Sequence, residues 1–181
     1  HRVLGIDPPD EPDENLEFSP IDRGSLYHEV LERFMRDALA KGSLPLDASS
    51  LDASQLDGSA LGDLLTRADR VLESGRWSLA GYEGARRLEG RSLRLNLSLW
   101  LSGEAAASEG FVPAYFEVRF GGRPRRGDDD ALSSENAVPF DAGDGVRLAF
   151  AGRIDRIDVS PDGALARVVD YKTGKAKNVK E

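Results

Sequence analysis

Hydrophobic spacing divides the chain near residue 110. Before that point apolar positions recur every three to four residues, and after it they alternate. Pro20 opens a helical pattern that runs to about Lys41, with Gly42 as its stop. Leu26, Val30 and Phe34 recur at i, i+4 and i+8, and Leu31 and Met35 widen that face. Tyr27 reads as core, and His28 sits in the first half of the helix. Residues 43–58, rich in Ser, Asp and Leu without a clear period, read as a loop. A second helix is predicted from about Ser59 to Ser74. Its apolar face is Leu61, Leu64, Leu65, Ala68, Val71 and Leu72, and Gly75 is its expected C-cap.

Residues 83–108 carry two patterns at once. Leu93, Leu95, Leu97, Leu99 and Leu101 alternate as in a strand, whereas Leu88, Leu95 and Leu99 fit a helix. The good helix formers at 104–107 tip the reading to helix. From residue 111 the period is two. Phe111 to Gly121 reads as one strand, residues 122–136 as a polar loop, Val146 to Val159 as a long second strand, and Ala164 to Lys172 as a third. Helices followed by an antiparallel three-stranded meander make an α+β arrangement.

The turn between the last two strands sets their register. Asp-Gly between alternating runs is the preferred two-residue hairpin loop. With Asp162 and Gly163 as that loop, Asp158 faces Arg167, Ile157 faces Val168 and Asp155 falls opposite Asp170. Two carboxylates opposed on neighbouring strands repel. A divalent cation between them turns the repulsion into a ligand site, and hard oxygens suit Mg²⁺ or Mn²⁺. Lys172 shares a face with Asp170 and is placed to orient a water or meet charge on a phosphate, as metal-assisted phosphodiester hydrolysis requires. The plainer reading is that both aspartates are solvent-facing strand ends and that Lys172 pairs with one of them.

Composition narrows the partners. The 181 residues carry a net charge of −8, which argues against a purely electrostatic nucleic-acid binder. Residues 67–126 are nevertheless net +4. Arg87, Arg91 and Arg94 recur at helical spacing and could track a phosphate backbone, or form a solvated face. Arg123, Arg125 and Arg126 precede Asp128, Asp129 and Asp130 on the polar loop, and the acidic run weakens their case for DNA contact. Lys175, Lys177 and Lys180 follow Lys172 directly and are either near any phosphate bound there or simply a frayed, solvated end. The absence of cysteine excludes disulfides, thiol catalysis and cysteine-held zinc or iron–sulfur clusters within this stretch. No apolar run approaches the ~20 residues of a membrane span, so no membrane partner is expected and a cytoplasmic location is. Residues 1–22, with Asp7-Pro8-Pro9-Asp10-Glu11-Pro12, read as an acidic linker. The start at His1 and the Lys-rich end suggest a piece of something longer.

Gly152-Arg-Ile-Asp155-Arg-Ile-Asp158, followed by Val169-Asp170-Tyr171-Lys172-Thr173-Gly174-Lys175, resembles the core of the PD-(D/E)XK nucleases, in particular the RecB/AddB branch. Upstream, Gly24-Ser-Leu-Tyr-His28 with Leu31-Glu32-Arg-Phe34 resembles that branch's helical Gly-x-x-x-His motif. Phe116-Glu117-Val-Arg-Phe120-Gly121 resembles the strand glutamate ahead of the first catalytic aspartate. The resemblance implies a restriction-endonuclease-like core over residues 23–181. Asp155 and Asp170 are then metal ligands, the Tyr171 backbone carbonyl completes the inner shell, His28 lies at the metal and Lys172 is the catalytic lysine. Glu117 either assists the metal or holds Arg153 or Arg119.

The family pattern continues beyond Lys172 into a helix and a further strand that this chain lacks. A 4Fe–4S cluster, found in AddB-type members, is possible only in a longer parent chain. The implied activity is Mg²⁺- or Mn²⁺-dependent hydrolysis of DNA, exonuclease in preference to endonuclease. The implied setting is recombination and double-strand-break repair, with a helicase subunit or an upstream helicase-like domain. The alternative is a non-catalytic DNA-binding or helicase-docking module that keeps the fold.

Overall fold

The computed structural model describes residues 18–46, 59–79, 83–107, 109–122 and 130–172. The elements run α1 (Pro20–Ala40), α2 (Ala60–Leu72), a 3₁₀ turn (Gly75–Leu79), α3 (Glu83–Ala106), β1 (Val112–Phe120), β2 (Val138–Asp141), β3 (Arg147–Phe150), β4 (Gly152–Val159) and β5 (Ala166–Val169). The order is α+β, as the spacing predicts. No described helix is long and apolar enough to cross a membrane.

Ser19 caps α1, its side chain accepting the Asp22 N–H at 3.1 Å, and Pro20 occupies the first turn, where no N–H is needed. Leu26, Val30, Leu31, Phe34 and Met35 are all buried, with Tyr27 beside them. Helix α2 ends at Leu72 with Glu73 as its C-cap, not Gly75. Gly75 instead adopts φ +54 and opens the 3₁₀ turn, a bend that a side chain would oppose. That turn carries Trp77 into the core, where its indole N–H donates to Glu29 at 2.7 Å. Helix α3 forms as expected but turns a different face inward. Leu93, Leu97 and Leu101 are buried, whereas Leu88, Leu95 and Leu99 are exposed. Residues two apart on a helix point about 200° apart, so the leucines alternating through this run cannot share one face. The inward set joins the cluster made by α1, α2 and Phe116.

Strands β1, β4 and β5 form an antiparallel sheet in that order. The continuous strand expected over 146–159 is broken at Ala151, and its first part pairs instead with β2, an element the sequence pattern does not signal. Gly121 explains the break. It has φ +75, and a Cβ there would lie 2.5 Å from the Ala151 Cβ and 2.8 Å from its Cα. Strand β1 ends at this crossing, and the Gly121 N–H turns to the Ser134 and Asn136 carbonyls at 3.1 and 3.0 Å. The β4–β5 register is the one read from the sequence: Arg156↔Val169, Ile157↔Val168, Asp158↔Arg167 and Val159↔Ala166. The loop is wider than two residues. The Ser160 N–H donates to the Leu165 carbonyl at 3.0 Å and the Gly163 N–H to the Ser160 carbonyl at 2.8 Å, which preserves the same pairing.

Candidate metal centre

Helix α1 and strands β1 and β4 meet at one group of ligand-type side chains. His28, Glu117 and Asp155 each offer an atom within 4.8 Å of the others, the one such group among the described residues. Glu117 and Asp155 come together because the pairs Phe116↔Arg156 and Val118↔Ile154 place them opposite each other on adjacent strands. Asp155 thus faces a carboxylate, Glu117, on its β1 side. Strand β5 leaves the ladder at Val169, one residue before Asp170.

The backbone is bent to hold this arrangement. Glu117 has φ +55, a left-handed conformation that costs about 1–3 kcal/mol for a residue with a side chain. Side chains hold the preceding residue on both sides. Asp130 accepts the Phe116 N–H at 3.1 Å, and Arg36 donates to the Phe116 carbonyl at 2.9 Å. Arg36 is itself braced by Glu32 at 2.9 Å, an i, i+4 pair on α1. Neither Arg36 nor Asp130 stands out in the sequence as part of a site. The one available signal is the Glu32/Arg36 spacing, which also describes an ordinary exposed helix pair.

His28 decides the chemistry of the cluster. Its Nε2 lies 2.9 Å from the Tyr171 carbonyl, and a carbonyl can only accept, so Nε2 carries the proton. In the neutral ring Nδ1 is then a lone pair. It is buried, makes no hydrogen bond and lies 3.4 Å from Asp155 Oδ1. Two acceptors facing each other call for a proton or a cation between them. Accordingly, the Asp155 carboxylate raises the His28 pKa against the opposing effect of burial. Burial works against the charge on Asp155 but is outweighed by His28, by the Tyr171 N–H at 2.8 Å and by Arg153, so its pKa falls. Burial raises the Glu117 pKa, Arg153 at 2.7 Å opposes it, and Glu32 and Asp155 add to the rise.

An imidazole nitrogen and two carboxylates fit a divalent ion, Mn²⁺ better than Mg²⁺ because of the nitrogen. The contact from His28 Nε2–H to a backbone carbonyl is the kind of outer hydrogen bond that orients a metal-binding histidine. The Tyr171 carbonyl, expected to bind the ion directly, here accepts that bond.

The other candidates lie around this centre. Asp170 and Lys172 form an ion pair at 2.9 Å, with the Lys172 side chain 78% exposed. Asp170 raises the lysine's pKa. Asp170 and Lys172 are thus solvent-facing, as the plainer reading has them, whereas Asp155 is buried. Arg87, Arg91 and Arg94 are exposed on α3, Arg87 beside Glu83 at 3.4 Å and Arg94 bridged to Asp69 on α2 at 2.5 Å. Arg123, Arg125, Arg126, Lys175, Lys177 and Lys180 lie outside the described residues.

Comparison with known proteins follows the same lines. The chain is 29% identical over 164 residues to a subunit of the ATP-dependent helicase/deoxyribonuclease of Ruminiclostridium cellulolyticum, a match covering 87% of this chain and 13% of that protein. The protein of the same name from Acetivibrio thermocellus is 29% identical over 161 residues, covering 86% of this chain and 12% of its own length. That of Anoxybacillus flavithermus is 42% identical over 72 residues, 39% of this chain and 6% of its own. The chain thus spans about an eighth of the length of the first two of these relatives. The sequence model of the PD-(D/E)XK nuclease superfamily matches residues 1–181, the whole length, and the chain belongs to that superfamily.

Proposed function

We propose that this domain hydrolyses DNA phosphodiester bonds with Mg²⁺ or Mn²⁺, as an exonuclease. It would act within a longer protein that works with a helicase in recombination and double-strand-break repair, in the cytoplasm. The observation that carries the reading is the buried His28 Nδ1, without a hydrogen-bond partner, facing Asp155 Oδ1 at 3.4 Å, with Glu117 beside both. The similarity to relatives named as helicase/deoxyribonuclease subunits supports the DNA substrate and the helicase partner.

His28 Nδ1, Glu117 and Asp155 would hold the ion, with the carboxylate of Asp170 on the solvent side. The ion would supply a Lewis acid that lowers the pKa of water and offsets charge on a phosphate oxygen. The chain's own residues do the remaining work. The Tyr171 carbonyl fixes the ring of His28, and the Tyr171 N–H fixes the carboxylate of Asp155. Arg153 opposes the rise that burial imposes on the Glu117 pKa. Lys172, protonated and exposed, exchanges Asp170 for a phosphate oxygen and donates to it as negative charge develops.

The test is single-turnover cleavage of end-labelled DNA by the full-length protein in Mn²⁺, with affinity measured in Ca²⁺. Lys172→Ala should slow cleavage by ~10²–10⁴-fold, the usual contribution of one positioned group. Its DNA affinity should stay within about twofold, because binding is spread over many phosphate contacts. Asp155→Ala should be inactive and lose Mn²⁺ binding. Cleavage by Lys172→Ala at the wild-type rate would overturn the proposal in favour of a DNA-docking module.

A further inference from the structure

Beneath the candidate centre lies a second charged group that has no part in the chemistry described so far. Arg156 is 1% exposed and Asp158 0% exposed, both on β4. The Arg156 guanidinium meets three partners. It donates to Glu104 on α3 at 2.7 Å and to Asp158 Oδ2 at 3.1 Å, with Nε 2.7 Å from Asp158 Oδ1. Its third partner is the Tyr171 hydroxyl, which accepts from Nη1 at 3.1 Å.

We propose that Arg156 is a positioning residue for the metal centre and acts through Tyr171; this rests on the metal-site reading above. The Tyr171 backbone touches both His28 and Asp155, its carbonyl at 2.9 Å from His28 Nε2 and its N–H at 2.8 Å from Asp155 Oδ2. It follows the end of β5, so no ladder bond fixes its peptide groups. The ring must therefore set the backbone. It stands edge-on to His28 at 5.8 Å and to Trp100 at 6.2 Å, contacts that restrain its plane. The Arg156 fork pins the far end of the ring, and Glu104 and Asp158 fix the fork. Alternation places Arg156 on the opposite face of β4 from its neighbour Asp155. One strand thus carries a ligand on one face and, on the other, the anchor that aligns that ligand's hydrogen-bond donor.

Arg167 provides the control. It donates to Asp158 at 2.8 Å and to the Ala107 carbonyl at 3.1 Å, within the same charged group. The structure gives it no contact with Tyr171.

The test compares Tyr171→Phe, Arg156→Lys and Arg167→Gln by two readouts in the full-length protein. The first needs no metal: hydrogen exchange at the amide of residue 171. The second is the Mn²⁺ dissociation constant by calorimetry. Tyr171→Phe keeps the ring and loses the pin, so exchange at 171 should quicken about tenfold and Mn²⁺ should bind about tenfold more weakly. Arg156→Lys should do the same. Arg167→Gln should lower the unfolding midpoint and leave both readouts unchanged. A merely structural role for Arg156 would lower stability in all three variants without selective loss at residue 171. Wild-type exchange at 171 in both Tyr171→Phe and Arg156→Lys would overturn the proposal. Failure of the wild-type protein to bind Mn²⁺ would instead count against the metal reading, and the exchange result would still decide the role of Arg156.

Discussion

Strands β3 and β4 run head to tail with Ala151 between them, yet they treat their side chains in opposite ways. On β3 and its partner β2, Val138, Phe140, Leu148 and Phe150 share a face and are 44–53% exposed. On β4, Asp155, Arg156 and Asp158 are buried. Ranked by hydrophobicity alone, the assignments would be exchanged. What differs is the surroundings. Strand β4 lies between two partners, under α1 and the end of α3, and each of its charges meets a countercharge or a backbone donor. The hairpin has one partner strand and no layer against it among the described residues. Alternation marks a strand, but burial is decided by what the rest of the chain places over it.

The largest expected effect tests the buried side of this comparison. Asp158→Ala removes the carboxylate shared by Arg156 and Arg167 and leaves a guanidinium buried beside a cavity. Breaking one side of a buried pair costs about 3–5 kcal/mol. Urea denaturation should show a loss of that size, and a loss under about 1 kcal/mol would mean that water reaches Arg156.

The same contrast explains how far the sequence can be read. The β4–β5 register is legible because a Pro-Asp-Gly turn and the Asp158/Arg167 charge match point to one pairing, and neither needs a distant element. Helix α1 is legible because a single apolar stripe leaves no competing face. The inward face of α3 is not, since leucine at every second position offers two faces, and only the packed partners choose between them. The break at Ala151 depends on Gly121, thirty residues earlier, so no local pattern announces it. The candidate site is legible in its residues more than in its grouping. His28, Glu117 and Asp155 all lie in motifs visible in the sequence. That Glu117 also stands opposite Asp155 depends on the register between β1 and β4, strands separated by more than thirty residues and a second hairpin. The supports of Glu117, Arg36 and Asp130, come from α1 and a loop, with nothing in the sequence to link them.

Gly121→Ala tests the crossing that separates the two regions. The new methyl would meet Ala151 backbone at a distance no real contact reaches, in a φ that disfavours any side chain. A loss of about 1–3 kcal/mol is expected from the backbone conformation alone. If the structure yields at the hairpin, amide exchange should rise through β2 and β3 and stay protected in β4. Uniform loss of protection would show that the hairpin and the sheet unfold as one unit.

Alkaline pH probes the buried network from another side. Burial raises the Tyr171 phenol above its ordinary value, helped by Glu104 and Asp158 and opposed by Arg156. The folded state therefore holds this proton after the unfolded chain, whose tyrosines ionise near ~10, has lost it. Stability from this group is fully present below that value and falls as pH rises through it, by up to ~1.4 kcal/mol per pH unit. Urea midpoints should drop more steeply between pH 10 and 11 for wild type than for Tyr171→Phe. Equal slopes would mean that the phenol is reached by solvent.

The smallest effect belongs to the hairpin. Phe140 and Phe150 stand edge to face at 5.8 Å between ring centres, both about half exposed. An aromatic pair of this geometry contributes ~0.5–1.5 kcal/mol beyond its area when buried, and half-exposed rings reach only part of that. Replacing both with serine should therefore cost about 1 kcal/mol or less in global stability, well below Asp158→Ala, although it removes two large apolar side chains where the other change removes one small polar one. The near-ultraviolet circular dichroism of the tryptophans, which lie in the helical layer, should be unchanged, while protection in β2 and β3 should fall. A cost as large as that of Asp158→Ala would place the hairpin within the cooperative core, and the contrast between β3 and β4 would then be one of exposure alone and not of contribution to stability.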